Sequence, residues 1–241
     1  MLGKLYAENI FKVISEIEKN EEEKIMAAAK IAENVIKNDG IIYVFGCGQS
    51  HLVGLDSFYR AGGLANVSAV LDTDLMLHNG AAKSSYMEKM EDISPEIFRR
   101  YCITEKDCIF VISSSGKNGA PVEMGLCAKR AGVPSVAITS MEYKNDKSKH
   151  SSGKRLFEAC DMYIDCHVPH GDATVPVGEK MMGSVSTIAG TFILQTVLME
   201  AAAACERDGV DAPVYKSGNI EGGGEYNKAL IDNYLNRVKH L

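Results

Sequence analysis

The sequence predicts an α/β protein in which a five-stranded parallel sheet is covered by helices on both faces. Short apolar runs alternate with helical stretches along most of the chain, which is typical of a parallel sheet. Two of these runs end in loops rich in serine and glycine, and each loop opens a helix. The 241 residues, 46% of them hydrophobic, are ample for a buried core, and no repeat or long linker divides them. We therefore predict a single domain over residues 1–241.

The amino-terminal residues 4–38 are predicted to be helical, because apolar residues such as Ile10, Val13 and Ile17 recur at spacings of three and four. The acidic run 21–23 predicts a solvated face or a break. From residue 41 strands and helices alternate, and the glycine-rich residues 217–224 predict a flexible connector. The predicted strands are 41–45, 67–71, 108–112, 134–138 and 162–165, and the predicted helices are 51–61, 84–101, 119–131, 153–159, 184–207 and 225–239. The domain thus comprises amino-terminal helices (1–38), an α/β core (41–208) and a carboxyl-terminal connector and helix (209–241).

The composition argues against several classes of partner. The net charge of −6 and the pI near 5.6 give no basic surface, so we expect no nucleic-acid partner. Charges are scattered through the first twelve residues and no apolar run approaches membrane-spanning length, so we expect neither a secretory signal nor a membrane. The seven cysteines form no C-x-x-C pair, which indicates reduced thiols in a cytoplasmic protein.

Two loops carry the strongest functional signal. The first loop, Gly46–Ser50, follows the predicted strand 41–45, and the second loop, Ser113–Asn118, follows the strand 108–112. The first N–H groups of a helix have no partner within it, and the aligned peptide dipoles favour an anion there. Glycines let the main chain close around a phosphate, and serine hydroxyls add donors. Such loops also occur as ordinary turns and caps, but two of them favour a phosphate site.

A dinucleotide site is the competing interpretation of the first loop. Gly46 and Gly48 follow a strand, as in the fingerprint G-x-G-x-x-G, and Asp72 is placed to bind a ribose. The third glycine is replaced by His51, at a position where close packing of helix on strand requires a small residue. Neither loop has the Gly-Lys-Ser/Thr of a Walker loop. We therefore expect no nucleotide cofactor.

The two loops, the Thr139-Ser140 pair and the Ser186-Thr187 helix start resemble the sugar isomerase (SIS) domain of phosphosugar isomerases and phosphosugar-binding regulators. The resemblance extends to a single-domain SIS subfamily related to phosphoheptose isomerases and N-acetylmuramic acid 6-phosphate etherases. Sequence motifs of this subfamily are found in this chain at 58–65, 75–78, 121–124, 150–156 and 171–173. The resemblance implies a three-layer α/β/α sandwich, phosphosugar binding and assembly into homodimers or homotetramers with sites near subunit interfaces.

The resemblance also assigns contacts with the sugar phosphate to individual residues. They are Gly48, Ser50, Ser113, Ser115, Asn118, Ser186 and Thr187. Family members usually carry serine or threonine where Asn118 stands. In the phosphoheptose isomerase branch the base falls near position 60, where this chain has Arg60. An arginine there argues against that activity and suits a carboxylate or second anion on the substrate.

Isomerisation of a sugar phosphate needs a base that moves a proton between C1 and C2 and a group that handles the oxygen atoms. Carboxylate and imidazole supply both roles without a cofactor. We favour Glu88 as the base, because a related SIS lyase family places an acid in the helix after its second strand. Glu91, three residues further on, and Glu123 remain open as alternatives. His51 and His78 are candidate acids.

No metal is expected. The segment 167–172 contains His167, His170 and Asp172, which are ligand-type residues, but Pro169 and Gly171 bend it rather than build a preformed site. His150, which precedes a Ser-Ser-Gly turn, is a further candidate acid.

These residues together predict a sugar-phosphate isomerase that works through an enediol intermediate. Two other functions stay open, a non-catalytic phosphosugar sensor and a lyase that resembles the etherases and releases lactate. SIS regulators carry a DNA-binding domain, for which this acidic chain has no room. The expected partners are a small sugar phosphate and further copies of the same chain.

Overall fold

The computed structural model describes residues 1–241. The strands of the main sheet are β1 (Ile42–Gly46), β2 (Val67–Val70), β3 (Cys108–Ile112), β4 (Ser135–Thr139) and β5 (Met162–Asp165). The helices are α1 (Leu2–Asn20), α2 (Glu22–Lys37), α3 (His51–Ser57), α4 (Ala81–Met87), α5 (Ile93–Arg100), α6 (Gly119–Arg130), α7 (Leu156–Ala159), α8 (Ser186–Arg207) and α9 (Gly223–Tyr234). All five strands are parallel, in the order β2-β1-β3-β4-β5. The predicted five-stranded parallel sheet is confirmed.

Both faces of the sheet are buried, because successive strand residues point to two separate cores. On one face Val44 and Phe110 pack with residues of α1, α2, α3 and α8. On the other face Phe45 and Val111 pack with residues of α5, α6, α7 and α9. This double burial explains why β1 and β3 are almost entirely apolar in the sequence, whereas in the edge strand β5 only Ile164 is buried.

Two predicted helices are interrupted. The amino-terminal helix breaks at Glu21, which separates α1 from α2. The predicted helix 84–101 is wrong as a single element, since residues 88–92 form a non-helical link between α4 and α5. Pro95 explains this break: in a continuous helix its ring would clash with the carbonyl of Glu91, four residues earlier, and it has no N–H to donate. In the structure Pro95 lies in the first turn of α5, where both defects are tolerated.

A hairpin absent from the prediction follows the main sheet. Its strands are β6 (Ala173–Val177) and β7 (Lys180–Ser184), which pair antiparallel. The hairpin rests on α1, because Tyr6 Oη donates to the Ser184 carbonyl at 2.6 Å and Asn9 Nδ2 to the Thr174 carbonyl at 2.9 Å. Of its strand residues only Val175 is buried, so the sequence has no alternating apolar pattern that would predict the hairpin.

Helix α8 runs through the core on the α2 side of the sheet. By length and composition alone it could cross a membrane, so the expectation that no run approaches that length is wrong. In the fold its residues Ile193, Leu194 and Val197 are buried, and the helix packs against α2 and α3. Its apolar composition is that of a core helix.

Candidate functional site

The two serine and glycine loops lie side by side at the carboxyl edge of the sheet. The chain passes from β1 to β2 on one side and later returns to β3 on the other, so the strand order reverses between β1 and β3. Gly46 ends β1 directly opposite Ile112, which ends β3. Ligands of open α/β sheets bind at such a reversal, outside the carboxyl ends of the strands.

The first loop turns sharply from β1 into α3. Gly46 is required there, since a Cβ atom would lie 2.5 Å from the carbonyl oxygen of Ser50. Residues 48–50 form a single turn of 3-10 helix, closed by a bond from Ser50 N–H to the Cys47 carbonyl. The N–H groups of Cys47, Gly48 and Gln49 make no hydrogen bond within the protein.

The second loop presents more free donors. The N–H groups of Ser114, Ser115, Lys117 and Asn118 make no hydrogen bond within the protein. Ser113 holds the turn, because its Oγ accepts the N–H of Gly116 at 3.2 Å. Four free N–H groups over five consecutive residues form a concave set of donors that suits an anion.

A buried arginine fixes the shape of the second loop. The Arg155 guanidinium donates to the carbonyls of Ser115 and Gly116 in that loop, and to those of Tyr143, Lys144 and Asp146 after β4. Burial lowers the pKa of Arg155 from its usual value, since no carboxylate contacts the charge directly. No role for Arg155 follows from the sequence, because nothing in the local pattern distinguishes it from a surface arginine.

Glu88 lies against the second loop. It follows α4 directly, and its Oε1 accepts a hydrogen bond of 2.8 Å from Asn118 Nδ2. Asn118 Oδ1 is buried without a partner. Burial, and secondarily the charges of Glu88 and Asp72, raise the pKa of the Cys47 thiol well above its usual value. Cys47 is therefore a neutral side chain of the first loop rather than a nucleophile.

Two histidines flank the first loop. His51 is 4% exposed, and its Nδ1 lies within hydrogen-bonding distance of the Gly48 carbonyl. Because a carbonyl only accepts, Nδ1 carries the proton, and the buried, unpartnered Nε2 is left as an acceptor. His78 is exposed, and its ring centroid lies 6.0 Å from that of His51.

The other two candidate bases lie together in a different place. Glu91 accepts two hydrogen bonds from Ser151, and Glu123 contacts both His150 and Arg130. The structure therefore places Glu88, but neither Glu91 nor Glu123, in hydrogen-bond contact with a side chain of the second loop.

Comparison with known proteins bears directly on this architecture. The sequence profile of the SIS domain matches residues 5–140. The chain belongs to the SIS domain family. The UPF0309 protein of Caldanaerobacter subterraneus subsp. tengcongensis is 45% identical over 98% of this chain and 99% of that protein. The UPF0309 protein of Geobacillus thermodenitrificans is 40% identical over 98% of this chain and 96% of that protein.

Solved structures share the fold of this SIS domain at low identity. A phosphoheptose isomerase from Neisseria gonorrhoeae superposes with a TM-score of 0.55 at 14% identity, over 81% of this chain and 94% of that chain. A phosphoheptose isomerase from Francisella tularensis gives a TM-score of 0.54 at 16% identity, with the same coverage. At these identities the likeness shows the three-layer fold.

Some predicted contact residues of the SIS domain lie apart from the loops or are already bonded. Arg60 follows α3 on the way to the opposite edge of the sheet, where it pairs with Asp56. Ser186 Oγ donates to Asp172 Oδ2 at 2.7 Å, while Asp172 Oδ1 accepts the Ser186 N–H at 2.8 Å. Thr187 is half-buried beside it in the first turn of α8, which packs against the 48–50 turn of the first loop.

The ligand-type residues of segment 167–172 are dispersed. Asp172 caps α8, and the His170 ring stacks on Tyr143 with centroids 4.4 Å apart. His167 instead meets Glu21 and Asp165, and the ligand atoms of these three residues lie within 4.8 Å of one another. This set could hold a cation, but the Lys24 ammonium already lies 2.8 Å from Glu21 Oε2.

Asp72, the acid that would bind the ribose of a dinucleotide, already has other partners. Asp72 is buried, pairs with Arg100 and accepts the N–H of Asp74 at 3.0 Å. A ribose would have to displace these partners, which argues against a dinucleotide site at the first loop.

Proposed function

We propose that this SIS domain binds a sugar phosphate between its two loops and isomerises it between aldose and ketose forms. The observation that carries the proposal is the set of free N–H groups in the two loops, which the strand order brings together at one edge of the sheet. A phosphate offers three terminal oxygen atoms, each with room for more than one donor. Ser50, Ser113 and Ser115 add hydroxyl groups, and Gly48 leaves room for the anion to approach.

The general base of the proposed reaction is Glu88. Its carboxylate contacts the second loop through Asn118, so in this proposal a sugar held there by its phosphate extends past Glu88, whereas Asp146, which also contacts that loop, is paired with Lys117. Glu88 would take the proton from C2 of the aldose, form the enediol and return the proton to C1. A proton also has to move between O2 and O1. His51 Nε2, a buried acceptor, and the nearby His78 are the groups proposed to carry it.

The phosphosugar part of the proposal is the more strongly supported. The chain belongs to the SIS domain family, and the structurally similar proteins of Neisseria and Francisella are phosphoheptose isomerases by name. Arg60 is an additional candidate for contact with the substrate, which it would make by exchanging its present partner Asp56 for an anionic group of the substrate. The reaction needs no metal or other cofactor in this scheme.

We further propose that the protein is a cytoplasmic homodimer or homotetramer. Helix α1 and the hairpin expose apolar side chains, among them Phe11, Met181 and Met182. Such residues on neighbouring elements are suited to contact a second copy of the chain. Six of the seven thiols are buried singly within the fold, an arrangement that a reducing cytosol preserves.

A ligand screen followed by a turnover assay tests the proposal. Thermal unfolding is measured with aldose and ketose phosphates, with the matching free sugars and with inorganic phosphate. A true ligand at one hundred times its Kd adds about 2.7 kcal/mol to the unfolding free energy. We expect stabilisation by a sugar phosphate and interconversion of that compound. Stabilisation without turnover supports the sensor function, release of lactate from an etherase substrate supports the lyase, and no stabilisation by any sugar phosphate contradicts the proposal.

A further inference from the structure

The link 88–92 between α4 and α5 carries Glu88 and packs tightly on the start of α6. The Ala120 N–H donates to the Glu88 carbonyl at 3.0 Å. Gly119 allows this approach, because a Cβ atom there would lie 2.4 Å from the carbonyl oxygen of Lys89. The direction of the Glu88 side chain therefore depends on where the link sits.

At the far end of the link, Glu91 reaches across to the segment 148–155 that follows β4. Its Oε1 accepts the Ser151 N–H and its Oε2 accepts the Ser151 hydroxyl, both at 2.6 Å. The hydroxyl bond in particular holds the pKa of Glu91 below its usual value. Both carboxylate oxygens are thus occupied by one partner, which makes Glu91 a poor base and a good anchor.

A buried imidazole joins α6 to the same segment. The His150 side chain is 3% exposed, and its Nε2 lies 2.8 Å from Glu123 Oε2 and 3.5 Å from Glu91 Oε2. Its Nδ1 accepts the N–H of Ser152 at 3.1 Å, so Nε2 carries the proton and donates to Glu123. Glu91 and Glu123 therefore both lie next to Nε2 of His150, which brings the link and α6 together at segment 148–155.

The segment 148–155 is bonded in turn to the second loop. The Lys149 N–H donates to the Lys117 carbonyl at 2.8 Å, and the Leu156 N–H to the Gly116 carbonyl at 2.9 Å. The second loop is thus held on one side by segment 148–155 and on the other by the link. The contact between Glu91 and Ser151 joins these two sides and closes a ring of contacts around the loop.

We propose that Glu91 is a positioning residue, which through Ser151 and His150 fixes the link and so holds the Glu88 carboxylate against Asn118. This inference rests on the proposed function of Glu88 as the base. It assigns to Glu91 and Glu123 a role distinct from proton transfer. Loss of the anchor leaves the phosphate donors in place and lets the base move.

The kinetic test compares variants of Glu91 and of Ser151 in the whole chain with a matched control. In Glu91→Ala, kcat falls about ten- to a hundredfold with KM changed less than about threefold, because a small displacement of a base costs rate rather than binding. Glu91→Gln keeps a carbonyl oxygen for the Ser151 N–H and retains most of kcat. Ser151→Ala also lowers kcat. The double variant of Ser151→Ala with Glu91→Ala has the same kcat as Glu91→Ala alone, because both changes remove the same contact. The conservative Ser151→Thr restores turnover, and the exposed Glu96→Ala on α5 serves as the charge control.

Amide hydrogen exchange tests the anchor without reference to turnover. The reporter is the Ala120 N–H, whose acceptor is the Glu88 carbonyl. We expect faster exchange at Ala120 in Glu91→Ala than in the unaltered protein, and no change in Glu96→Ala. If the unaltered protein turns over no sugar phosphate, the isomerase proposal fails while this measurement still decides whether Glu91 holds the link.

Three results would overturn the inference. Unchanged exchange at Ala120 together with unchanged kcat in Glu91→Ala would mean that the contact anchors nothing. An inactive Glu91→Gln beside an active Glu88→Gln would make Glu91 the base and would contradict the proposed roles of both residues. A rise in KM at constant kcat in Glu91→Ala would place its effect on binding of the phosphate.

Discussion

Glu88 is the residue on which the proposed chemistry depends. Its carboxylate lies 2.8 Å from the Asn118 amide, at the end of a short helix and beside the second loop. Glu88→Gln keeps the size and an acceptor for Asn118 but removes the basicity. Turnover should therefore fall by about 10² to 10⁴ while the Kd for the sugar phosphate stays within a few fold, measured by steady-state kinetics and calorimetry. Glu96→Gln is the control, and full activity in Glu88→Gln would move the base elsewhere.

Arg155 is a single buried side chain that holds the second loop in its conformation. It satisfies five backbone carbonyls, two of them in the second loop. The carbonyls of Ser115, Lys144 and Asp146 have no other donor, and the single nitrogen of a lysine cannot span them, so Arg155→Lys leaves partly buried acceptors unsatisfied. We expect a loss of about 2–4 kcal/mol in the unfolding free energy from denaturant titration. The exposed Arg99→Lys on α5 should change it by less than about 0.5 kcal/mol, and equal values for the two variants would refute the role of Arg155.

At the scale of elements, the contact between the link and α6 is set by Gly119. A methyl group there would lie 2.4 Å from the backbone carbonyl oxygen of Lys89, which cannot move without the link, and 3.1 Å from Cγ of Glu91. Gly119→Ala should cost about 1–3 kcal/mol of stability and lower kcat, because the link must move away from α6. Gly224→Ala in α9, where the added atom has open space, is the control and should be neutral or slightly stabilising. A fully stable and active Gly119→Ala protein would contradict the packing described above.

The anchor between Glu91 and segment 148–155 also predicts a dependence of stability on pH. The pKa of Glu91 is lowered in the folded protein relative to its usual 4.5, so the unfolded state binds this proton more tightly. The resulting stabilisation is complete above about pH 4.5 and disappears as the pH falls through the lower folded pKa. The difference in unfolding free energy between the unaltered protein and Glu91→Gln should therefore shrink on acidification. A difference that is constant from pH 6 to pH 3 would show that the Glu91 charge is not held by Ser151.

The elements also show what the sequence could and could not predict. Strands β1, β2, β3 and β4 are predictable because they are buried throughout and therefore largely apolar in the sequence, and the partly buried edge strand β5 still shows a short apolar run. The break in the predicted helix 84–101 is also encoded in the sequence, because Pro95 has no N–H to donate within a continuous helix. The hairpin was not predictable, since only Val175 of its strand residues is buried. The bond between Glu91 and Ser151 joins residues 60 positions apart, and no local pattern encodes such a contact.

At the scale of the whole molecule, the site follows from the topology of the sheet. The reversal of strand order between β1 and β3 brings the first and second loops together, although Ser50, the last residue of the first loop, and Ser113, the first of the second, are 63 positions apart. The sequence predicted both loops and their neighbourhood, because each follows a buried strand. It could not separate Glu88 from Glu91, which share a predicted helix in the sequence but face different partners once that helix is broken.

The central claim is that the two loops hold the phosphate of a sugar phosphate. Its most direct test is calorimetric titration of the stabilising sugar phosphate into the unaltered protein and into the double variant Ser113→Ala with Ser115→Ala. Each hydrogen bond lost to the charged phosphate should cost roughly 1.5–3 kcal/mol, so the double variant should bind at least tenfold more weakly while it remains folded. Ser217→Ala, in the distant connector, should bind like the unaltered protein. Unchanged affinity in the folded double variant would place the phosphate site elsewhere.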